Sequence, residues 1–586
     1  MKDNRIKDPY DIIIIGSGAG GLSAGICLAK EGKSVLILEQ HYVPGGWCHS
    51  FLLNGQQFSP GLHYVGQLDE GEPFRKMLEG LDVAKDMVFF KMVEQGFEHA
   101  RVGNVHFDYP SDPAEFKQKL IEQFPHEEKG IEKYLSVVWK TQTQLNELAA
   151  NRSLKGKIGA LARSRTLIRF GLKTLESVVS KYIKDKDLQA ILNIQCGDHG
   201  VYPNEASFAY HCGVMGHYNK GGYFPMGGGS ALVKAMTNVL KKHGAEIRTK
   251  ESVRRILTKD GCAYGVQLES GEMLFANQIV SNADPHVTYT RLLDKDRLSK
   301  KLQKKLDNTT YSVSSLMAFL TVEMDVRSAG IDSGNYWIAA TNEINGMMTF
   351  ESLEDITKAE KFRGLFISCS TLKDPSHQDK RYYNFEIITF IDNHLFDELK
   401  GKKTGDEEYA AFKEKVSHMF LNNLEDLIPG VRDKVVQMEL GTPNTNRHYI
   451  NATKGNVYGI EKKLKQIGPG SYSAKSEIKD LFLCGSSTLA HGVAGAMNSG
   501  IMTAAEILKC EPADLLNPQS EETIRIYSAE DESEWPDWLK EKMERLRKRS
   551  KTIDPHNFLE HSDPIRTKEL ERMAVEATDS VPVARA

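Results

Sequence analysis

The sequence predicts an α/β fold in which a parallel-sheet domain is interrupted by inserted α+β segments, and three stretches carry that prediction. They are a strand–turn–helix–strand unit at 11–39, a glycine-led middle block at 227–283, and a short apolar strand running into a second glycine-rich helix start at 481–500.

Asp11-Ile12-Ile13-Ile14-Ile15 is a β-branched run of the kind buried on both faces of a parallel sheet. It leads directly into Gly16-Ser17-Gly18-Ala19-Gly20-Gly21. A helical stretch over Leu22–Gly32 and a second strand, Ser34–Leu38, complete a βαβ unit that ends at Glu39. Each part has a physical task. Gly16 makes the tight turn, Gly18 lets the backbone approach a pyrophosphate, and Gly21 lets the helix pack closely on the strand. The helix N-terminus, reached through Ser17 and Gly20, offers free N–H groups to phosphates. Glu39 is placed to accept hydrogen bonds from a ribose hydroxyl, with Gln40 beside it. A Rossmann-type dinucleotide site follows from strand, turn, helix, strand and acid in register.

The dinucleotide is identified as FAD by a second glycine pair just after the acid, in Val43-Pro44-Gly45-Gly46-Trp47-Cys48. Far along the chain, Leu481–Gly485 reads as a buried strand and Gly492–Gly500 as a helix start. Gly485, Val493 and Ala494 are thereby expected against the flavin pyrimidine, where free N–H groups stabilise negative charge on reduction. In the middle block, Gly227-Gly228-Gly229 precedes an amphipathic helix, and the strands around Val253–Ile256 and Gly265–Leu268 close at Gln278–Ala283. Val253 joins the expected cofactor contacts. No second strand–GxGxxG–helix unit occurs, so a dedicated nicotinamide domain is not expected.

From about Tyr10 to Leu508 the chain resembles the all-trans-retinol saturase family, within the wider phytoene desaturase and carotenoid isomerase group. The resemblance rests on Leu38–His41, Gly45–Phe51, Gly61-Leu62-His63-Tyr64-Val65-Gly66, Gly197–Val201 and Tyr223–Gly228. It implies an FAD-dependent oxidoreductase, a long apolar tunnel, and action on carbon–carbon double bonds of a polyene or isoprenoid lipid. Reduction of the retinol-saturase kind is the leading reading; carotenoid desaturation and flavin-dependent cis–trans isomerisation are the alternatives. For reduction, electrons must arrive from NAD(P)H, a free reductant or a donor protein. The sequence departs from the pattern at Ser59-Pro60, where such sequences often carry an acid, and beyond Cys510.

Saturation delivers hydride to one carbon and a proton to its neighbour, so a proton donor beside the flavin is required. His63 and Tyr64 are the leading catalytic candidates and His491 the next, lying just before the glycine-rich helix start. His199, His211, His217 and Tyr218 rank below them as core or wall residues. No pair of them suggests a metal site. A reading of another class, a membrane-bound lipid carrier that keeps FAD as a structural element, would leave all three without chemistry.

Lys and Arg total 75 against 79 Asp and Glu, a formal charge of -4, so no global basic field points to nucleic acid. The eight cysteines are scattered without a CxxC pair, which fits a reducing compartment. Met1–Tyr10 is polar and runs into the first strand, so secretion is not expected. No uncharged apolar run approaches the roughly 20 residues of a spanning helix. Arg152–Lys173 carries seven basic and no acidic residues among apolar ones. It is read as an interfacial segment that holds the enzyme on the cytoplasmic side of a membrane, peripherally or monotopically.

The expected organisation is an FAD domain from 1–75, 222–290 and 475–512, and a substrate and membrane domain from 76–221 and 291–474. Within the latter, Ser312–Val322, Gly364–Ser370 and Tyr383–Ile391 should form an antiparallel sheet roofing the tunnel. The extension 513–586 is polar, with Trp535, Trp538, Leu539, Met543 and Leu546 at helical spacing beside basic residues. That helix reads as interfacial, as packed on the body, or as a homo-oligomer contact; residues after Met573 are expected to be disordered.

Overall fold

The computed structural model describes residues 10–150, 154–294, 298–347, 350, 352–377, 381–402, 405–550 and 555–556. Residues 1–9, Arg152 of the basic segment and the stretch after Met573 lie outside the described residues.

The N-terminal unit forms as expected: β1 (Tyr10–Ile15), α1 (Ala19–Lys30) and β2 (Val35–Glu39). The isoleucines of β1 alternate between two cores. Ile12 and Ile14 enter the core shared with α1, while Ile13 and Ile15 enter the core on the opposite face. This is why the run is apolar without alternation, and each such burial is worth roughly 1.5–3 kcal/mol. In the sheet, β1 lies between β2 and the strand Met273–Ser281, parallel to both. Glu246–Thr249 extends the sheet beyond β2, and Leu481–Leu483 pairs parallel with Met273–Ser281. Val253–Lys259 and Cys262–Leu268 add an antiparallel wing. Three distant stretches of chain thus build one sheet, and its strand ends converge on the turn after β1.

A second seven-stranded sheet has the order Val435–Gly441, Ser314–Glu323, Tyr382–Ile391, Gly364–Cys369, Asn335–Ala339, Glu98–Val102 and Val105–Tyr109. The three expected strands are present and antiparallel. Glu98–Val102 joins parallel to Asn335–Ala339, so stretches of chain from before and after Met273–Ser281 share this sheet. All ten residues of Tyr382–Ile391 are buried.

Residues 525–543 of the C-terminal extension pack on the body. Arg525–Ser528 pairs parallel with Val88–Lys91, which also pairs with Tyr223–Pro225. Trp535, Leu539 and Met543 are buried beside Phe90, and Trp535 Nε1 donates to Ser528 O at 2.9 Å. Of the three readings of this helix, the packed one describes the structure, because its apolar stripe is spent on the body; Trp538 stays 39% exposed.

Candidate functional site

A cavity of about 320 Å³ is lined by Glu39, Gln40 and Val253, by Gly16, Gly18 and Gly20, and by Gly45, Gly46, Trp47 and Gly485. His63, His491 and Val493 also line it, with the apolar side chains Met317, Ile388, Phe390 and Val457.

The turn after β1 is built for close backbone approach. Gly16 has φ +92°, and a Cβ on Gly21 would stand 2.2 Å from Gly16 O, so α1 could not otherwise pack on the turn. Gly45 N–H donates to Ser17 O and to Ser17 Oγ, both at 3.1 Å, which joins the two glycine clusters. Glu39, 7% exposed, has Oε2 held by Ser17 N–H (2.9 Å) and Ser17 O–H (2.6 Å), and Oε1 by His41 N–H (2.9 Å). The carboxylate is therefore aimed at the cavity rim before any ligand arrives, with one lone pair, on Oε1, left for a ribose hydroxyl. Asn282, also in the lining, packs its amide against Gly18 and Gly20. His491 caps the helix Gly492–Leu508 without a side-chain hydrogen bond, and Gly492 and Val493 of its first turn line the cavity with their N–H groups open. A glycine cradle, an aligned carboxylate and two helix N-termini along one cavity match the donors and acceptors that FAD requires.

Of the expected cofactor contacts, Gly16, Gly18, Gly20, Glu39, Gln40, Gly45, Gly46, Trp47, Val253, Gly485 and Val493 line the cavity. Ser17, Gly21 and Ala494 stand behind the wall. Ser17 acts through Glu39 and Gly45, Gly21 by its smallness, and Ala494 lies in the first turn of the Gly492–Leu508 helix.

The structure separates His63 from Tyr64. His63 lines the cavity, whereas Tyr64 is 7% exposed, stacked on Tyr218 at 4.3 Å, with its hydroxyl donating to Asp198 Oδ2 at 2.9 Å. Burial, then the Asp198 charge, pushes the Tyr64 phenol well up. His491 faces the cavity with Tyr458 at 4.8 Å and Tyr210 at 5.1 Å. Burial, followed by the Lys462 charge, holds its pKa well below the usual histidine range, so it is a neutral imidazole at pH 7 and a poor proton source. His199, His211, His217 and Tyr218 lie outside the lining. His199 and His211 face each other at 3.3 Å, and His217 Nε2 accepts from Gly66 N–H at 2.9 Å.

Two groups were missed by the sequence reading. Glu386 is fully buried and places Oε2 2.9 Å from His63 Nδ1, while Oε1 accepts Ser59 N–H at 2.7 Å. A carboxylate is thus present at Ser59 after all, brought from a distant strand. Lys373, also fully buried, donates to His63 O at 2.9 Å, and burial lowers its pKa to about 8. Behind them Glu98, whose Oε2 accepts from Trp337 Nε1 at 2.6 Å, and Asp198 both have raised pKa values because burial disfavours their charge; for Glu98 the Asp198 charge adds to this. Glu386 is the only charged residue in the strand Tyr382–Ile391, and a lone acid in a fully buried strand is a signal that could have found it.

Residues 19–508 match the family model described as flavin containing amine oxidoreductase. The all-trans-retinol 13,14-reductase of Danio rerio is 28% identical over 529 residues, covering 86% of this chain and 87% of that protein. A chloroplastic prolycopene isomerase of an Oncidium hybrid cultivar is 27% identical, covering 85% of this chain and 84% of its own. A solved structure of wild-type putrescine oxidase shares the fold at 14% identity and a TM-score of 0.56, over 86% of this chain and 99% of that one. With its glycine cradle, aligned Glu39 and matched family model, this chain belongs to the flavin-containing amine oxidoreductase family and is an FAD-dependent oxidoreductase.

Proposed function

We propose that this protein is a reductase that adds two hydrogens across a carbon–carbon double bond of an apolar polyene or isoprenoid lipid. The observation that carries the reading is the cavity itself, in which His63 and the open N-terminus of the Gly492–Leu508 helix share a space walled by Met317, Ile388, Phe390 and Val457. The retinol reductase relative supports it. The Gly16–Gly21 turn, Glu39, Gly45–Gly46 and the Gly485–Val493 region would hold FAD, which would supply hydride when reduced. The chain's own residues do the rest: the apolar wall excludes water and orients the polyene, and His63 supplies the proton. Electrons come from an external donor, NAD(P)H or a partner protein. On this reading 1–75, 222–290 and 475–512 hold the cofactor, while 76–221 and 291–474 roof the substrate.

Among the described residues no helix is long and apolar enough to cross a membrane. The helices Leu154–Arg163 and Arg165–Phe170 and the turn after them nonetheless expose Ile158 (60%), Leu161 (46%), Ile168 (57%) and Leu172 (75%). Exposed Arg163, Arg165, Arg169 and Lys173 stand among them. This surface is the proposed membrane contact on the cytoplasmic leaflet, through which a lipid substrate is drawn.

The isomerase relative supports a second reading, cis–trans isomerisation without net electron transfer. Product mass after incubation of the reduced holoprotein with a polyene alcohol, a carotene and an unsaturated fatty acid tests both. A gain of two hydrogens supports the reductase. An unchanged mass with a new isomer replaces it with the isomerase, and a loss of two hydrogens with a desaturase.

A further inference from the structure

His63 is held from two directions. Its backbone carbonyl accepts from Lys373 Nζ at 2.9 Å, and Lys373 is itself fixed by Ser368 Oγ at 2.7 Å and by Asn335 Oδ1. Its ring lies edge-on to Phe366, with centroids 5.5 Å apart, and presents Nδ1 to Glu386 Oε2 at 2.9 Å. The other ring nitrogen, Nε2, has no hydrogen-bond partner among the described residues and is not sealed from the cavity that the ring lines. Both oxygens of Glu386 are committed, to Ser59 N–H and to the imidazole. A carboxylate only accepts hydrogen bonds, so the Nδ1 facing it must carry a proton. Neutral His63 is then the Nδ1–H tautomer, with the Nε2 lone pair directed to the cavity; protonated His63 carries its transferable proton there.

We propose that Glu386 is the positioning residue of the reaction, fixing the tautomer and ring plane of His63 so that Nε2 is the atom that protonates the substrate. The inference rests on the reductive reading above. In the step, the hydride that a bound reduced flavin would supply would form a C–H bond at one carbon of the double bond with its own electron pair. The π pair then forms the second C–H bond with the Nε2 proton at the neighbouring carbon. His63 is left neutral, its Nδ1–H still on Glu386, and regains a proton at Nε2 from solvent. Glu386 never touches the substrate and takes no part in the proton transfer itself. Its burial without a surface outlet is costly unless a partner is fixed beside it, and His63 is the side chain that answers it. Such orientation of an imidazole by a buried carboxylate is a general way to fix which nitrogen reacts.

The test is the tautomer of His63, read by histidine ¹⁵N NMR of the wild-type holoprotein at a pH where the ring is neutral. The resonance is assigned by its absence in His63→Gln. The expected result is protonation on Nδ1; protonation on Nε2 overturns the proposal without any variant having to fold. Glu386→Gln is the second arm. An amide oxygen can serve Ser59 N–H or His63 Nδ1–H, not both, so the amide NH₂ faces Nδ1 and the neutral ring moves its proton to Nε2. With flavin content and melting temperature retained, kcat should fall about 100-fold or more with KM within a few-fold, and Glu386→Asp should recover part of it. A Glu386→Gln enzyme with wild-type kcat, or one that lowers affinity alone, overturns the positioning role. Failure of the wild-type protein to reduce any polyene would instead sink the reductive reading, and the tautomer result distinguishes the two.

Discussion

Replacing Gly21 by alanine should remove the cofactor although Gly21 itself stands behind the cavity wall. A Cβ at Gly21 falls 2.2 Å from Gly16 O, a backbone atom, whereas ordinary contact begins at 3.4 Å. Helix α1 must therefore move about 1 Å off the turn, and its first N–H groups move with it. Overpacking of this kind costs roughly 1–3 kcal/mol and sometimes more. The same displacement strains the contact of Gly500 with Gly20 O, where a Cβ would already be 2.1 Å away. Gly213→Ala is the matched control: it lies in the helix Phe208–His217 with nothing within 4 Å of a built Cβ. That variant should be neutral or stabilised by about 0.5–1 kcal/mol. Flavin absorbance per chain and thermal melting read both variants. Full flavin and an unchanged melt in Gly21→Ala would refute the close-packing account of the turn.

Trp535→Ala should cost about 3–5 kcal/mol in denaturant unfolding, since the ring is 2% exposed and its N–H serves Ser528 O; a change under 1 kcal/mol would mean the extension only rests on the body. Glu98 and Asp198 have raised pKa values, so the native state binds protons more tightly than the unfolded chain. Their contribution to stability is complete at and below the ordinary carboxylate range and is lost as pH rises toward and past neutrality. Melting temperature should fall over that interval, and Glu98→Gln should flatten the slope; an unchanged slope contradicts the assignment. Lys373→Met should destabilise by about 3–5 kcal/mol, because His63 O, Ser368 Oγ and Asn335 Oδ1 lose their buried donor and the Glu386 and Glu98 carboxyls lose a nearby positive charge; equilibrium unfolding measures it. Replacing Ile158, Leu161, Ile168 and Leu172 by Ser should abolish flotation with anionic liposomes while leaving flavin content intact, and persistent flotation would remove this surface from the account.

The cofactor half of the site was legible because its determinants are local. The isoleucine run, the glycine spacing and Glu39 lie within one βαβ unit, and each residue's type follows from a neighbour a few positions away. The apolar half of the cavity around His63 was not. His63 meets Glu386 across 323 residues and Lys373 across 310, and no periodicity encodes which strand of a second sheet will lie against a loop of the first. Naming His63 and Tyr64 together treated neighbours in sequence as neighbours in space, although one faces the cavity and the other the Asp198 carboxyl. The extension was ambiguous for a related reason. An amphipathic stripe reports that a face is to be covered, while the partner, Phe90 on a strand more than 400 residues earlier, is fixed only by the fold.

A single anaerobic turnover tests the central claim most directly. Holoprotein reduced by one equivalent of two electrons is mixed with a polyene alcohol in detergent, and flavin absorbance and product mass are followed together. Reoxidation of the flavin should be matched one to one by product heavier by two hydrogens, with no such turnover in His63→Gln of equal flavin content. Isomerised product over flavin that stays reduced, or no response to any polyene, would contradict it.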